Sequence, residues 1–205
     1  MSRAAASKTP SADRRKVAIY AVLTVAVVAI IGLVGYFSRN TVPKAATSAP
    51  TASKLKAGDT APTFAVQTNA GPFDLAQVST PVLLEVFATW CPHCQRETVI
   101  LNDIAAKYAG KLAVVAVSGS PYGIDGTKPE SQADVNQFGA QFNVRYPIAF
   151  DPDVTVGTQY LKAGFPTLVV IDQSKKIRYI DSGEKPEAEL VKAIKTVLPP
   201  SSTNI

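Results

Sequence analysis

The sequence predicts an α/β domain, a central mixed sheet flanked by helices, preceded by one N-terminal transmembrane helix. Three observations predict it. Val17 to Phe37 is an apolar run with no charged residue. Two further apolar runs, Val82 to Phe87 (broken only by Glu85) and Leu112 to Val117, read as strands covered on both faces. Between those runs lies a stretch of helical periodicity, so strand, helix and strand follow as a parallel, right-handed βαβ unit.

At about 1.5 Å per residue the N-terminal run spans roughly 31 Å, matching a hydrocarbon core of about 30 Å. A cleaved signal peptide is the alternative, but its apolar region is normally about 7–15 residues before a small-residue cleavage site. Here the run is longer and ends Gly35-Tyr36-Phe37-Ser38-Arg39, with Tyr36 suited to an interfacial anchor. Residues 1–16 carry Arg3, Lys8, Arg14, Arg15 and Lys16 against Asp13. This basic tail is expected in the cytoplasm, with the rest of the chain outside the cell membrane, where disulfides are permitted. Much of the net charge of +5 sits there. It is a topology signal and not a nucleic-acid footprint, which would need basic residues on one folded face. Residues 38–55, rich in Thr, Ser, Ala, Pro and Lys, cannot bury a core and read as a tether.

The folded domain is expected over residues 56–198, with 199–205 as a tail. Its first strand is the short alternating stretch Phe64 to Thr68, ended by an Ala70-Gly71-Pro72 turn. After Val82 to Phe87, a helix is marked by Ile100, Leu101, Ile104 and Tyr108 and stopped by Gly110. Beyond Leu112 to Val117 comes a Gly/Pro-rich loop, Ser118 to Lys128, then a helix from Glu130 to Phe142 and a strand from Tyr146 to Phe150. Asp151-Pro152-Asp153 reads as a turn and cap before a short helix, Val154 to Leu161. Leu168 to Ile171 and Ile177 to Ile180 are close enough in sequence to pair as an antiparallel hairpin. Pro186 to Leu198 closes the domain as an amphipathic helix with Leu190, Ala193, Ile194 and Val197 on one face.

The chemistry is concentrated in Phe87-Ala88-Thr89-Trp90-Cys91-Pro92-His93-Cys94. That stretch holds both cysteines and the only histidine and tryptophan of the 205 residues. A C-x-x-C where a strand meets a helix is the pattern of a redox pair. Thiol–disulfide exchange needs a thiolate that attacks and a second thiol that releases the mixed disulfide. Unpaired N–H groups and the positive dipole end at a helix start favour ionisation of Cys91. Pro92 suits the first turn, where a missing N–H costs nothing. Cys94, a turn further in, is the expected resolving thiol. A zinc site lacks the remaining Cys or His ligands, and a structural staple closing so short a loop would remove little entropy.

The domain resembles the thioredoxin-like superfamily, and within it the membrane-anchored extracytoplasmic TlpA/ResA/CcmG-type oxidoreductases (redoxin domain). The residues that carry the resemblance are Gly58 with Ala61-Pro62-Thr63-Phe64, Leu83 through Cys94, Phe165-Pro166-Thr167 and Val170-Ile171-Asp172. It implies an attacking, solvent-facing Cys91, a resolving Cys94, and a cis Pro166 packed against the pair, leaving backbone groups of Phe165 for an extended substrate segment. Trp90 would cover one side of the site; a core tryptophan is the alternative. Glu85 stands where thioredoxins carry a buried acid that exchanges a proton with the resolving thiol, unless it is a strand-end acid reaching solvent. Glu97 matches a glutamate of the branch, or is an ordinary first-turn helix acid. His93 is expected to stabilise the Cys91 thiolate electrostatically, with a simple exposed histidine as the alternative.

No organic cofactor and no metal is required. The expected partners are exported cysteine-containing proteins and a membrane redox partner that recycles the pair. Pro-His between the cysteines is the dipeptide of DsbA-type oxidants, whereas many TlpA/ResA members are reductants, so the direction stays open with a lean to oxidising; reduction in cytochrome c maturation is the alternative. A peroxiredoxin-like peroxidase would need a Thr or Ser three residues before its cysteine, and a Sco-like copper protein would use C-x-x-x-C with a distant histidine. The sequence has neither pattern.

Overall fold

The computed structural model describes residues 53–199, together with four isolated positions, Val25, Val27, Ala29 and Ile30, that are helical and exposed. The expected span 17–37 lies otherwise outside the described residues, as do the basic tail and most of the tether. Among the described residues no helix is long and apolar enough to cross a membrane.

Seven strands form one sheet in the order β2-β1-β5-β4-β3-β6-β7. They are β1 (Ala65–Thr68), β2 (Gly71–Asp74), β3 (Val82–Phe87), β4 (Ala113–Ser118), β5 (Ile148–Ala149), β6 (Thr167–Ile171) and β7 (Ile177–Ser182). β3 runs parallel to β4 and antiparallel to β6, and β6 pairs antiparallel with β7. The sheet is therefore mixed, as expected. Four helices complete the domain: α1 (Pro92–Lys107), α2 (Gln132–Gln141), α3 (Thr155–Tyr160) and α4 (Glu187–Lys195).

Every residue of β3 and β6 is buried, because apolar cores cover both faces of the sheet. Strand side chains alternate between faces, so β3 divides cleanly. Leu83 and Phe87 join one core with Leu101 and Ile104 of α1, Val135 and Phe138 of α2, and Leu190 and Ile194 of α4. Val82, Leu84 and Val86 join the other with Phe64, Leu75, Val156 and Tyr160. Glu85, sharing the parity of Leu83 and Phe87, points to the α1 face.

The differences from the sequence expectation have local causes. Gly71-Pro72 is not the turn but the start of β2, which pairs with β1 through Thr68 opposite Gly71. β5 is shorter than the expected 146–150 because only Ile148 and Ala149 find partners on β4. Leu55, at the end of the expected tether, packs against the second core, and Ser53 donates its N–H to the Leu161 carbonyl at 2.5 Å. Of the outer strands, β2 contains Pro72, which has no N–H to donate, and β7 carries charges at Arg178 and Asp181.

Candidate active site

The site lies where β3 runs out and α1 begins. Cys91 is the N-cap of α1 with extended backbone, and Pro92 occupies the first helical turn. The first turn's N–H groups are thus left facing the sulfur. Both cysteines are free. Cys94 is wholly buried, and Cys91 retains 4% exposure. The solvent-facing cysteine implied by the resemblance is thus largely covered, since it packs in the α1-side core, against which Phe165 also rests.

As a thiol, Cys91 lies with its Sγ 3.7 Å from the Phe165 carbonyl, to which it donates. As a thiolate, it accepts from the Cys94 thiol and from the backbone N–H groups of Cys94 and His93. These bonds outweigh burial and lower its pKa from 9.0 to about 6, the Cys94 thiol contributing most and the charge of His93 least. Cys94 moves the other way. Burial, its bond to Cys91 and the nearby Glu85 carboxylate push its pKa far up. One thiol is poised to ionise and the other to hold its proton.

Phe165–Pro166 is cis, and the Pro166 carbonyl accepts from the Gly183 N–H at 2.8 Å. Trp90 is 38% exposed, which sets aside the core reading. Its Nε1–H donates to Ser120 Oγ at 2.9 Å, and its ring stands edge-on to Phe165 with centroids 5.8 Å apart. An open groove of about 480 Å³ runs past His93, Gly164, Phe165, Ser182, Gly183 and Glu184.

Glu85 is 1% exposed, so it does not reach solvent. Burial raises its pKa well above the usual carboxylate range, and Glu97 adds to the rise. Tyr146 donates to its Oε2 at 3.3 Å, while Oε1 has no hydrogen-bond partner. Glu97 is fully buried. It sits past the first turn of α1, which holds no acid, so a simple dipole role does not describe it. The Lys185 N–H donates to its Oε2 at 2.8 Å, and burial lifts its pKa to about 7.

His93 is drawn toward charged neighbours. Arg96 Nη2 donates to its Nδ1 at 2.7 Å, and Glu184 Oε2 lies 3.2 Å from the same nitrogen. Arg96 in turn binds Glu184 through Nε at 2.9 Å.

Beyond the motif itself, Glu130, Tyr146, Arg96 and Glu184 escaped the sequence reading. Thr89, just ahead of Trp90, donates to Glu130 Oε1 at 3.0 Å. Glu130 Oε2 and the Ser118 hydroxyl have no partner, and burial raises the Glu130 pKa to about 7. Tyr146, Arg96 and Glu184 complete the set. No spacing signals Tyr146 or Glu130, since Tyr146 meets Glu85 across 61 positions and Thr89 meets Glu130 across 41. Among the described residues no group of three or more His, Cys, Asp or Glu could hold a metal ion.

A family model described as Redoxin matches residues 56–198. The thioredoxin-like protein YneN of Bacillus subtilis is 28% identical over 138 residues, covering 66% of this chain and 77% of that protein. The thiol-disulfide oxidoreductase ResA of Bacillus cereus is 25% identical over 168 residues, 80% of this chain and 85% of its own. A solved structure from Chlorobium tepidum, described as a thiol:disulfide interchange protein DsbE, aligns with TM-score 0.59 and 28% identity over 70% of this chain and 99% of that one. StoA from Bacillus subtilis shares the fold, with TM-score 0.54 at 17% identity over 64% of this chain and 96% of its own.

Proposed function

The chain belongs to the Redoxin family and is a thiol–disulfide oxidoreductase with a thioredoxin-like fold, and from that premise we propose that Cys91 and Cys94 are its exchanging pair. The Cys91 thiolate attacks a substrate disulfide and forms a mixed disulfide. Cys94 loses its proton, attacks Cys91 Sγ and expels the substrate thiolate; the reverse sequence oxidises a substrate dithiol. The observation that carries this reading is the opposed pull on the two thiols, one lowered to about 6 at the helix start and the other raised behind it. Glu85 is the group that exchanges the Cys94 proton, and Glu97 keeps that region acidic. Phe165 offers its backbone to an extended segment of the substrate, with Pro166 and Trp90 shaping the approach.

The substrates are exported cysteine-containing proteins, reached from a membrane anchor at residues 17–37 with the domain outside the membrane, and a membrane redox partner recycles the pair. At pH 7 a thiol with a pKa of about 6 favours the reduced form about tenfold over an unperturbed cysteine, worth roughly 30 mV. The superfamily spans about 150 mV, from about −270 mV for thioredoxin to about −120 mV for DsbA. The acidity of Cys91 therefore leans toward oxidation but covers only a small part of that range. The charge of His93 is the smallest of the influences that lower Cys91.

The test is the reduction potential of the pair in glutathione buffers, with Cys91→Ser as control. Loss of exchange in that variant is expected, and full retained activity would refute the pair. A potential of about −120 to −180 mV supports an oxidant, whereas about −270 mV or below supports the reductant alternative.

A further inference from the structure

Behind Cys94 lies a group that the exchange chemistry leaves without a task. Tyr146 is 4% exposed, and its ring is part of the α1-side core. Its hydroxyl crosses to β3 and donates to Glu85 Oε2 at 3.3 Å. The other carboxylate oxygen, Oε1, is buried without a partner. On either side of Glu85 in the sheet stand Ala116 and Leu168, which offer the carboxyl nothing polar. The titratable groups that face it come from α1 (Cys91, Cys94 and Glu97) and from Tyr146. Of these, Tyr146 alone donates to it.

We propose that Tyr146 is the positioning residue of the resolving step, fixing Glu85 by Oε2 so that Oε1 is the atom that trades a proton with Cys94 Sγ. This rests on the reading of Glu85 given above. In the reducing direction the Cys94 S–H bond breaks and its proton passes to Oε1. The freed sulfur forms the Cys91–Cys94 bond while the Cys91–substrate bond breaks. The substrate leaves as a thiolate carrying the electron pair, so the enzyme dithiol is oxidised as the substrate disulfide is reduced. The tyrosine keeps its own proton throughout. By donating to the ionised carboxyl it favours the form that can accept.

The experiment follows thionitrobenzoate release when the reduced full-length chain meets an aromatic disulfide, 5,5′-dithiobis(2-nitrobenzoate). The first release reports attack by Cys91 and the second reports attack by Cys94. In the unaltered protein the second rate should rise with pH through an inflection that Glu85→Gln abolishes. Tyr146→Phe keeps the ring and should move that inflection up by about one pH unit, slowing the second release about tenfold below it. Its first release should keep the unaltered profile. In a Glu85→Gln background the tyrosine change should do nothing more. A Tyr146→Phe profile that superimposes on the unaltered one overturns the inference, and so does equal slowing in both backgrounds. If Glu85→Gln leaves the inflection in place, the proton role of Glu85 falls, and the task assigned to Tyr146 falls with it.

Discussion

At Cys91 two opposing influences meet, and hydrogen bonding wins. Burial alone would raise a thiol, yet the Cys94 thiol and the backbone N–H groups of Cys94 and His93 bring it down to about 6. The same contact seen from Cys94 works with burial instead of against it. The expected outcome is that alkylation of the reduced protein by iodoacetamide follows a single ionisation near pH 6, falling about tenfold per pH unit below it. A midpoint near the ordinary cysteine value would contradict the bonding described. The pair itself was legible in the sequence, because motif, helix start and Pro92 all sit within a few positions. Of the groups behind it, Glu85 and Glu97 were legible through the resemblance, and both are buried. Tyr146, the partner of Glu85, was not, because it comes from the far side of β4.

Among the elements, β3 was readable to the residue because a strand buried on both faces is one unbroken apolar run. β2 and β5 were not, since their extent is set by neighbours: β5 consists of the two residues that β4 and β1 can reach. α3 shows the same dependence in its packing. A Cβ at Gly157 would stand 2.7 Å from the Gly119 carbonyl oxygen and 2.8 Å from its Cα, both backbone atoms that cannot rotate aside. Overpacking of this kind costs about 1–3 kcal/mol, offset by up to about 1 kcal/mol of helix propensity. Gly157→Ala is therefore expected to lose about 1–2 kcal/mol in urea unfolding. Gly164→Ala, where a Cβ meets nothing within 4 Å, should stay within about 0.5 kcal/mol of the parent.

For the whole molecule, buried acids set how stability depends on pH. Glu97 and Glu130 are each raised from 4.5 to about 7, and Glu85 is raised too. Between those values the unfolded chain releases protons that the folded chain keeps, so stability is full below about pH 4.5 and is lost as pH rises through 7. Glu97 and Glu130 each account for up to about 3 kcal/mol of that loss. Cys91 acts oppositely in the reduced state, its contribution present above pH 9 and lost as pH falls through about 6. The Cys91→Ser protein isolates the carboxyls. Its unfolding free energy should decline from pH 5 to pH 8, and adding Glu130→Gln should flatten the decline; an unchanged slope would mean Glu130 ionises freely in the fold. The outer strands have a consequence of a different kind. β2, short and holding Pro72, and β7, bearing Arg178 and Asp181, offer poor templates for another chain's strand. Copies crowded together are thereby discouraged from docking edge to edge, which lessens the chance that one molecule's reactive sulfur is spent on its twin.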